Sequence, residues 1–122
     1  KEAKLYGSTE VLASSEERNF SFIPKEYSIP TDADYFHITS NNTIYGTQMR
    51  TFPESPVPLF CDMSSDIFSR PLPIEKFGLI YAGAQKNMGP AGVTLVVVKK
   101  ELLGKKTSGI PSMLDYQIHF EK

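Results

Sequence analysis

The chain has 122 residues, 40% of them apolar, and its 13 Lys and Arg against 14 Asp and Glu leave a net charge of -1. That is enough apolar matter for one core, and the balanced, unclustered charge argues against a nucleic-acid binder. Residues 93–98, the longest apolar stretch, are too few to cross a bilayer, and the opening Lys1-Glu-Ala-Lys4 lacks the apolar region of a signal peptide, so a cytoplasmic protein with no membrane partner is expected.

Residues 1–7 read as the last turns of a helix closing on Gly7, with no helix start before them. Residues 10–13 suit a short strand and residues 14–18 a polar turn, and the stretch to Pro30 is turn-rich. Tyr35-Phe-His-Ile-Thr39 is a compact strand candidate that runs into the polar cluster Ser40-Asn-Asn-Thr43. A proline-rich approach at residues 52–58 leads to a strand at residues 59–61, which ends on Asp62-Met-Ser-Ser65. Pro71 and Pro73 bracket a loop before residues 74–77, residues 78–82 form another buried strand, and residues 93–98 form the clearest one. A short helix at residues 101–103 closes on Gly104, and residues 114–120 have strand-like or short helical character. No repeat or low-complexity stretch interrupts this order. The chain reads as an internal segment, cut at both ends.

The single cysteine, Cys61, cannot form an internal disulfide, which suits a reducing compartment. Its place in a strand, with no histidine near it in sequence, marks it as an inert core residue rather than a nucleophile. His37, inside a strand, reads as a structural histidine in the same way, and Arg70 as a member of a structural ion pair.

Short apolar strands that each end in a polar cluster are the mark of an α/β sheet, in which ligands sit beyond the carboxyl ends of parallel strands. Three clusters meet that description: residues 40–43, 62–65 and 83–87. The stretch from Thr43 to Asp62 carries three prolines and no helical period, so the helices usual between parallel strands are thin. An aldehyde cofactor needs a lysine in a dry place to form an imine, a carboxylate facing its pyridine nitrogen, and donors for its hydroxyl and phosphate. Lys86 follows an apolar strand with Gly83 and Gly89 three residues to either side, and Asp62 ends another strand. Thr43 and Gln85 are candidate donors, and the hydroxyls of Ser64 and Ser65 are candidate supports for Asp62. On residue types alone each has an ordinary reading beside this one: Lys86 as a solvated loop lysine, Asp62 as a turn cap, Thr43 and Gln85 as turn residues.

Tyr81-Ala-Gly-Ala-Gln-Lys-Asn-Met-Gly-Pro-Ala-Gly-Val-Thr94 resembles the lysine signature of the phosphoserine aminotransferases, fold-type I pyridoxal 5'-phosphate (PLP) enzymes of the class-V group. Ile38-Thr-Ser-Asn-Asn-Thr-Ile-Tyr-Gly46, Asp62-Met-Ser-Ser-Asp-Ile-Phe-Ser-Arg-Pro71 and Pro111-Ser-Met-Leu-Asp-Tyr116 are similar to the family's middle section, in order. The resemblance implies an α/β fold, with residues 1–122 as the central part of the mainly parallel sheet of the PLP-binding large domain, and the N-terminal part and the small C-terminal domain outside the chain. It implies that Lys86 carries PLP as a Schiff base, Asp62 pairs with the pyridine nitrogen, Thr43 bonds near the 3'-hydroxyl and Gln85 contacts the phosphate, with no metal.

The activity so implied is amino transfer between glutamate and 3-phosphohydroxypyruvate, giving phosphoserine and 2-oxoglutarate. It would serve serine synthesis and, in some bacteria, vitamin B6 synthesis, in a homodimer with sites at the subunit interface. The family's ring-stacking tryptophan has no counterpart, since the chain has no Trp. The isolated segment is therefore expected to be inactive. Two other readings stay open: another class-V PLP enzyme, such as a desulfurase-like protein, and a non-catalytic interaction domain with Lys86 simply exposed.

Overall fold

The computed structural model describes residues 2–105 and 109–121; Lys1, which opens the expected helix end, lies outside them. In chain order its strands are β1 (Phe36–Thr39), β2 (Asn41–Asn42), β3 (Thr47–Gln48), β4 (Leu59–Asp62), β5 (Phe77–Gly83) and β6 (Thr94–Val98), followed by the helix α1 (Tyr116–Phe120). Four of them form one sheet in the order β1-β4-β5-β6, while β2 and β3 pair as a separate ribbon. β1 and β5 each run parallel to β4, and β6 returns antiparallel along β5. The expected mainly parallel α/β sheet is present, with one antiparallel strand at its edge.

Prolines explain how little helix the crossovers contain. Pro53, Pro56 and Pro58 precede β4, and Pro71 and Pro73 precede β5. Each lacks an amide donor and clashes with a preceding helical turn, so the connections are irregular apart from a 3-10 turn at Ile74–Lys76. Among the described residues no helix is long and apolar enough to cross a membrane.

Alternation along the strands divides the sheet into two unlike faces. Ile38, Cys61 and Ile80 lie in one register row and, with Leu59, Met63, Ile67, Phe77 and Ala82, form the core. Phe52 closes that core edge-on against Phe77, ring centroids 4.8 Å apart. Thr39, Asp62 and Tyr81 form the next register row, and their side chains leave by the opposite face.

Three expectations change. Residues 10–13 are not a strand: Val11 is 79% exposed, and no neighbouring strand takes up the backbone hydrogen bonds there. Residues 1–7 hold a 3-10 turn at Glu2–Leu5, and Gly7 caps it without a left-handed backbone. Of the two characters open for residues 114–120, the helical one is present at Tyr116–Phe120, where the Asp115 side chain accepts the Gln117 amide at 3.0 Å and caps α1. The short helix expected at residues 101–103 is a 3-10 turn at Lys100–Leu102, and Gly104 follows it with φ +78°.

Candidate active site

The carboxyl ends of β1, β4 and β5 lie side by side, and each runs into a polar loop. Beyond β1 the chain forms the β2–β3 ribbon. The Asn42 side chain accepts the amides of Ile44 and Tyr45, both at 3.2 Å, and Gly46, at φ +73°, donates back to the Asn42 carbonyl at 2.8 Å. That Asx-type turn is what two asparagines followed at a distance by glycine favour, and it presents Thr43 at its tip. Beyond β5 the hairpin to β6 begins with Ala84 donating to the Val93 carbonyl at 2.8 Å. Gly89 donates to the Lys86 carbonyl at 3.2 Å with φ +134°, a backbone closed to other residues without strain. The two loop tips meet: Lys86 Nζ donates to Thr43 Oγ1 at 3.0 Å.

Asp62 ends β4 between them. Its Oδ1 accepts the Ser64 amide at 2.8 Å, while the Ser64 hydroxyl accepts the Gly83 amide at 3.1 Å. The turn carrying Asp62 is thereby fastened to the strand end that leads to Lys86. The serine hydroxyls do not support the carboxylate as expected: a backbone amide does, and the Ser65 hydroxyl donates instead to the Asn41 carbonyl at 3.1 Å. Asp62 thus has its turn-capping role, without excluding a second one. Gln85 is exposed and makes no side-chain hydrogen bond among the described residues. Lys86 is exposed as well, so the dry surroundings expected for it are not built from these residues.

Asp66 is a further carboxylate of the site that no motif in the sequence marks out. Asp66, only 8% exposed, accepts the Ser40 hydroxyl at 2.5 Å and the Gln48 amide at 3.0 Å, and it lies 3.6 Å from the Arg70 guanidinium. Arg70 also donates to the Met49 carbonyl at 2.5 Å. Asp66 therefore clamps the ribbon that carries Thr43 onto the turn that carries Asp62. The four-residue spacing of Asp66 and Arg70 was the available signal, and it confirms Arg70 as a structural ion-pair partner.

On the open face His37 lies on Tyr81, centroids 6.0 Å apart and planes 28° from parallel, with His37 Nε2 3.0 Å from Tyr81 Oη. Desolvation of the covered side draws the His37 pKa below its ordinary value, and the charge of Asp62 opposes that shift. Desolvation, and then Asp62, push the Tyr81 phenol up to about 12. Cys61 is fully buried on the other face, and burial, with Asp66 and Asp62 beside it, pushes its thiol up to about 12. It is a protonated core residue, not a reactive loop cysteine.

The class-V aminotransferase family model matches residues 7–112. A phosphoserine aminotransferase of Flavobacterium psychrophilum is 68% identical over 121 residues, which are 99% of this chain and 34% of that protein. The Parabacteroides distasonis enzyme of the same name is 58% identical over the whole chain and 34% of its own length. Among solved structures, one recording radiation damage of the Schiff base in phosphoserine aminotransferase superposes with a TM-score of 0.93 at 54% identity, covering 98% of this chain and 34% of that one. A PLP-bound phosphoserine aminotransferase from Trichomonas vaginalis gives 0.77 at 38%, covering 84% and 31%. The chain spans about a third of the length of the relatives it matches.

Proposed function

The chain belongs to the class-V aminotransferases, and on that footing we propose that it is the central part of the large domain of a PLP-dependent phosphoserine aminotransferase. The full-length protein would move an amino group from glutamate to 3-phosphohydroxypyruvate, releasing 2-oxoglutarate and phosphoserine. It would work as a cytoplasmic homodimer with its sites at the subunit interface. The observation that carries the reading is the meeting of Lys86 Nζ and Thr43 Oγ1 at 3.0 Å above the strand end that bears Asp62.

The donor set fits PLP chemically. A primary amine, a carboxylate, a hydroxyl and an exposed side-chain amide stand on adjoining strand ends, where the sheet fixes their separation. Lys86 would hold the cofactor, Asp62 its pyridine nitrogen, Thr43 its ring hydroxyl and Gln85 its phosphate. Bound PLP supplies an electron-withdrawing ring that stabilises negative charge developing at the amino acid's Cα. Asp62 would keep a proton on the pyridine nitrogen. The Lys86 amine, when free, would be the base placed to take the Cα proton. Thr43 would hold that amine toward the ribbon. The rest of the enclosure would come from parts of the protein outside this chain, so the segment by itself is not expected to turn over substrate.

Borohydride reduction of the full-length protein with PLP, followed by peptide mapping, tests the reading. A pyridoxyl group on Lys86 is expected, and an unlabelled Lys86 at saturating cofactor would refute it in favour of an interaction domain. Comparing phosphoserine, alanine and cysteine as amino donors then separates this activity from others of the class. The buried, protonated Cys61 favours phosphoserine over a desulfurase-like reaction.

A further inference from the structure

We propose that Tyr81 and His37 form a positioning relay for Asp62, in which His37 Nε2–H donates to the Tyr81 hydroxyl and that hydroxyl donates to the Asp62 carboxylate. The inference rests on reading Asp62 as the partner of the pyridine nitrogen, and it names the two residues that hold the carboxylate for that task. Asp62 and Tyr81 are register partners on the parallel strands β4 and β5, so their side chains leave the same face one strand apart. His37 stands on that face of β1, level with Phe60 of β4. It reaches across β4 to put Nε2 3.0 Å from Tyr81 Oη. Asp62 is thus flanked by a stacked pair whose members come from both neighbouring strands.

The direction of the donors follows from what each group can give. A phenol has one proton and an ionised carboxylate only accepts. If Tyr81 gave its proton to His37, the carboxylate would face a phenol lone pair. With His37 donating, both protons point toward the anion and every group has a partner. The Asp62 and Tyr81 side chains stand side by side on one face of the sheet, and the charge of Asp62 acts to raise the pKa of both His37 and Tyr81, as an anion does to donors near it, although desolvation leaves His37 lowered. The titratable groups around Tyr81 are Asp62 and Cys61 on β4, His37 on β1 and Tyr116 on α1. Of these, Cys61 belongs to the opposite, core face.

The test uses full-length protein carrying Tyr81→Phe, His37→Leu, His37→Gln or Asp62→Ala. Three quantities are read: PLP affinity by equilibrium dialysis, the pH midpoint of the bound cofactor's visible absorbance, and the thermal midpoint of the apoprotein. Tyr81→Phe and His37→Leu are each expected to weaken PLP about tenfold and to move the pH midpoint by about half a unit. The apo thermal midpoint should stay put, and His37→Gln, which keeps an N–H donor, should recover most of the loss. A pure packing role would lower the apo thermal midpoint while leaving the pH midpoint alone, and that result overturns the relay. Wild-type protein that binds no PLP, or Asp62→Ala with undiminished affinity, brings down the reading of Asp62 and the relay with it. If both of those controls behave as expected and Tyr81→Phe matches wild type, the relay alone is wrong.

Discussion

Cys61 and His37 carry opposite pH signatures from opposite faces of one sheet. The native fold holds the Cys61 proton up to about 12, whereas the unfolded chain releases it above the ordinary 9.0. The stability tied to this thiol is therefore complete below pH 9.0 and is lost as pH climbs toward 12. Tyr81 adds to the same alkaline loss, from its ordinary 10.0 to about 12. His37, lowered in the fold, works on the acid side: the unfolded chain takes up a proton below 6.5 that the native state resists, so stability declines as pH falls through that value. In full-length protein, urea midpoints read between about pH 8 and about pH 10.5 should fall less steeply for Cys61→Ala than for wild type. An unchanged slope would mean that the thiol is not the group responsible. The same residue should resist a thiol reagent at neutral pH until the fold is opened.

Between strands, the rigidity of the site depends on the Asp66 clamp. Ser40 lies between β1 and the ribbon, Gln48 belongs to β3, and Arg70 follows the Asp62 turn, so one carboxylate ties the base of the ribbon to the turn beyond β4. Asp66→Ala would leave the Arg70 charge and two polar side chains short of a partner. In full-length protein it should cost about 3 kcal/mol of stability by urea unfolding. An Asp66→Asn variant should retain part of that. A loss below about 1 kcal/mol for the alanine variant would show that water substitutes for the clamp. The strands and the polar loops beyond them were legible because each strand is a short β-rich run bounded by turn residues, and Lys86, Asp62 and Thr43 stood out as polar groups at their ends. Asp66 was not, since its partners come from residues 18 and 26 positions away that only the fold brings together. The run at residues 10–13 misled for the complementary reason: it has strand composition but no neighbour to pair with.

Taken as a molecule, the 122 residues place the reacting side chains without enclosing them. Tyr35 lies on Phe60 with ring centroids 4.4 Å apart, yet Tyr35 remains 42% exposed, and Lys86 and Gln85 stand open. That openness could not be read from the motifs, which encode the site's chemistry but not its walls. The strand order also says how the segment should behave alone. β1 and β6 are the outermost strands, so each offers one row of backbone donors and acceptors to any chain that approaches. β6, Thr94 to Val98, has neither a charge nor a proline to deter such pairing. Purified by itself, this polypeptide is expected to self-associate with rising concentration, seen as growing light scattering and binding of an amyloid dye. Val97→Lys should slow the process, and a segment that stays monomeric would show that its edges are blunted some other way. The order that lines up three strand ends for a cofactor also makes the isolated piece a template for copies of itself.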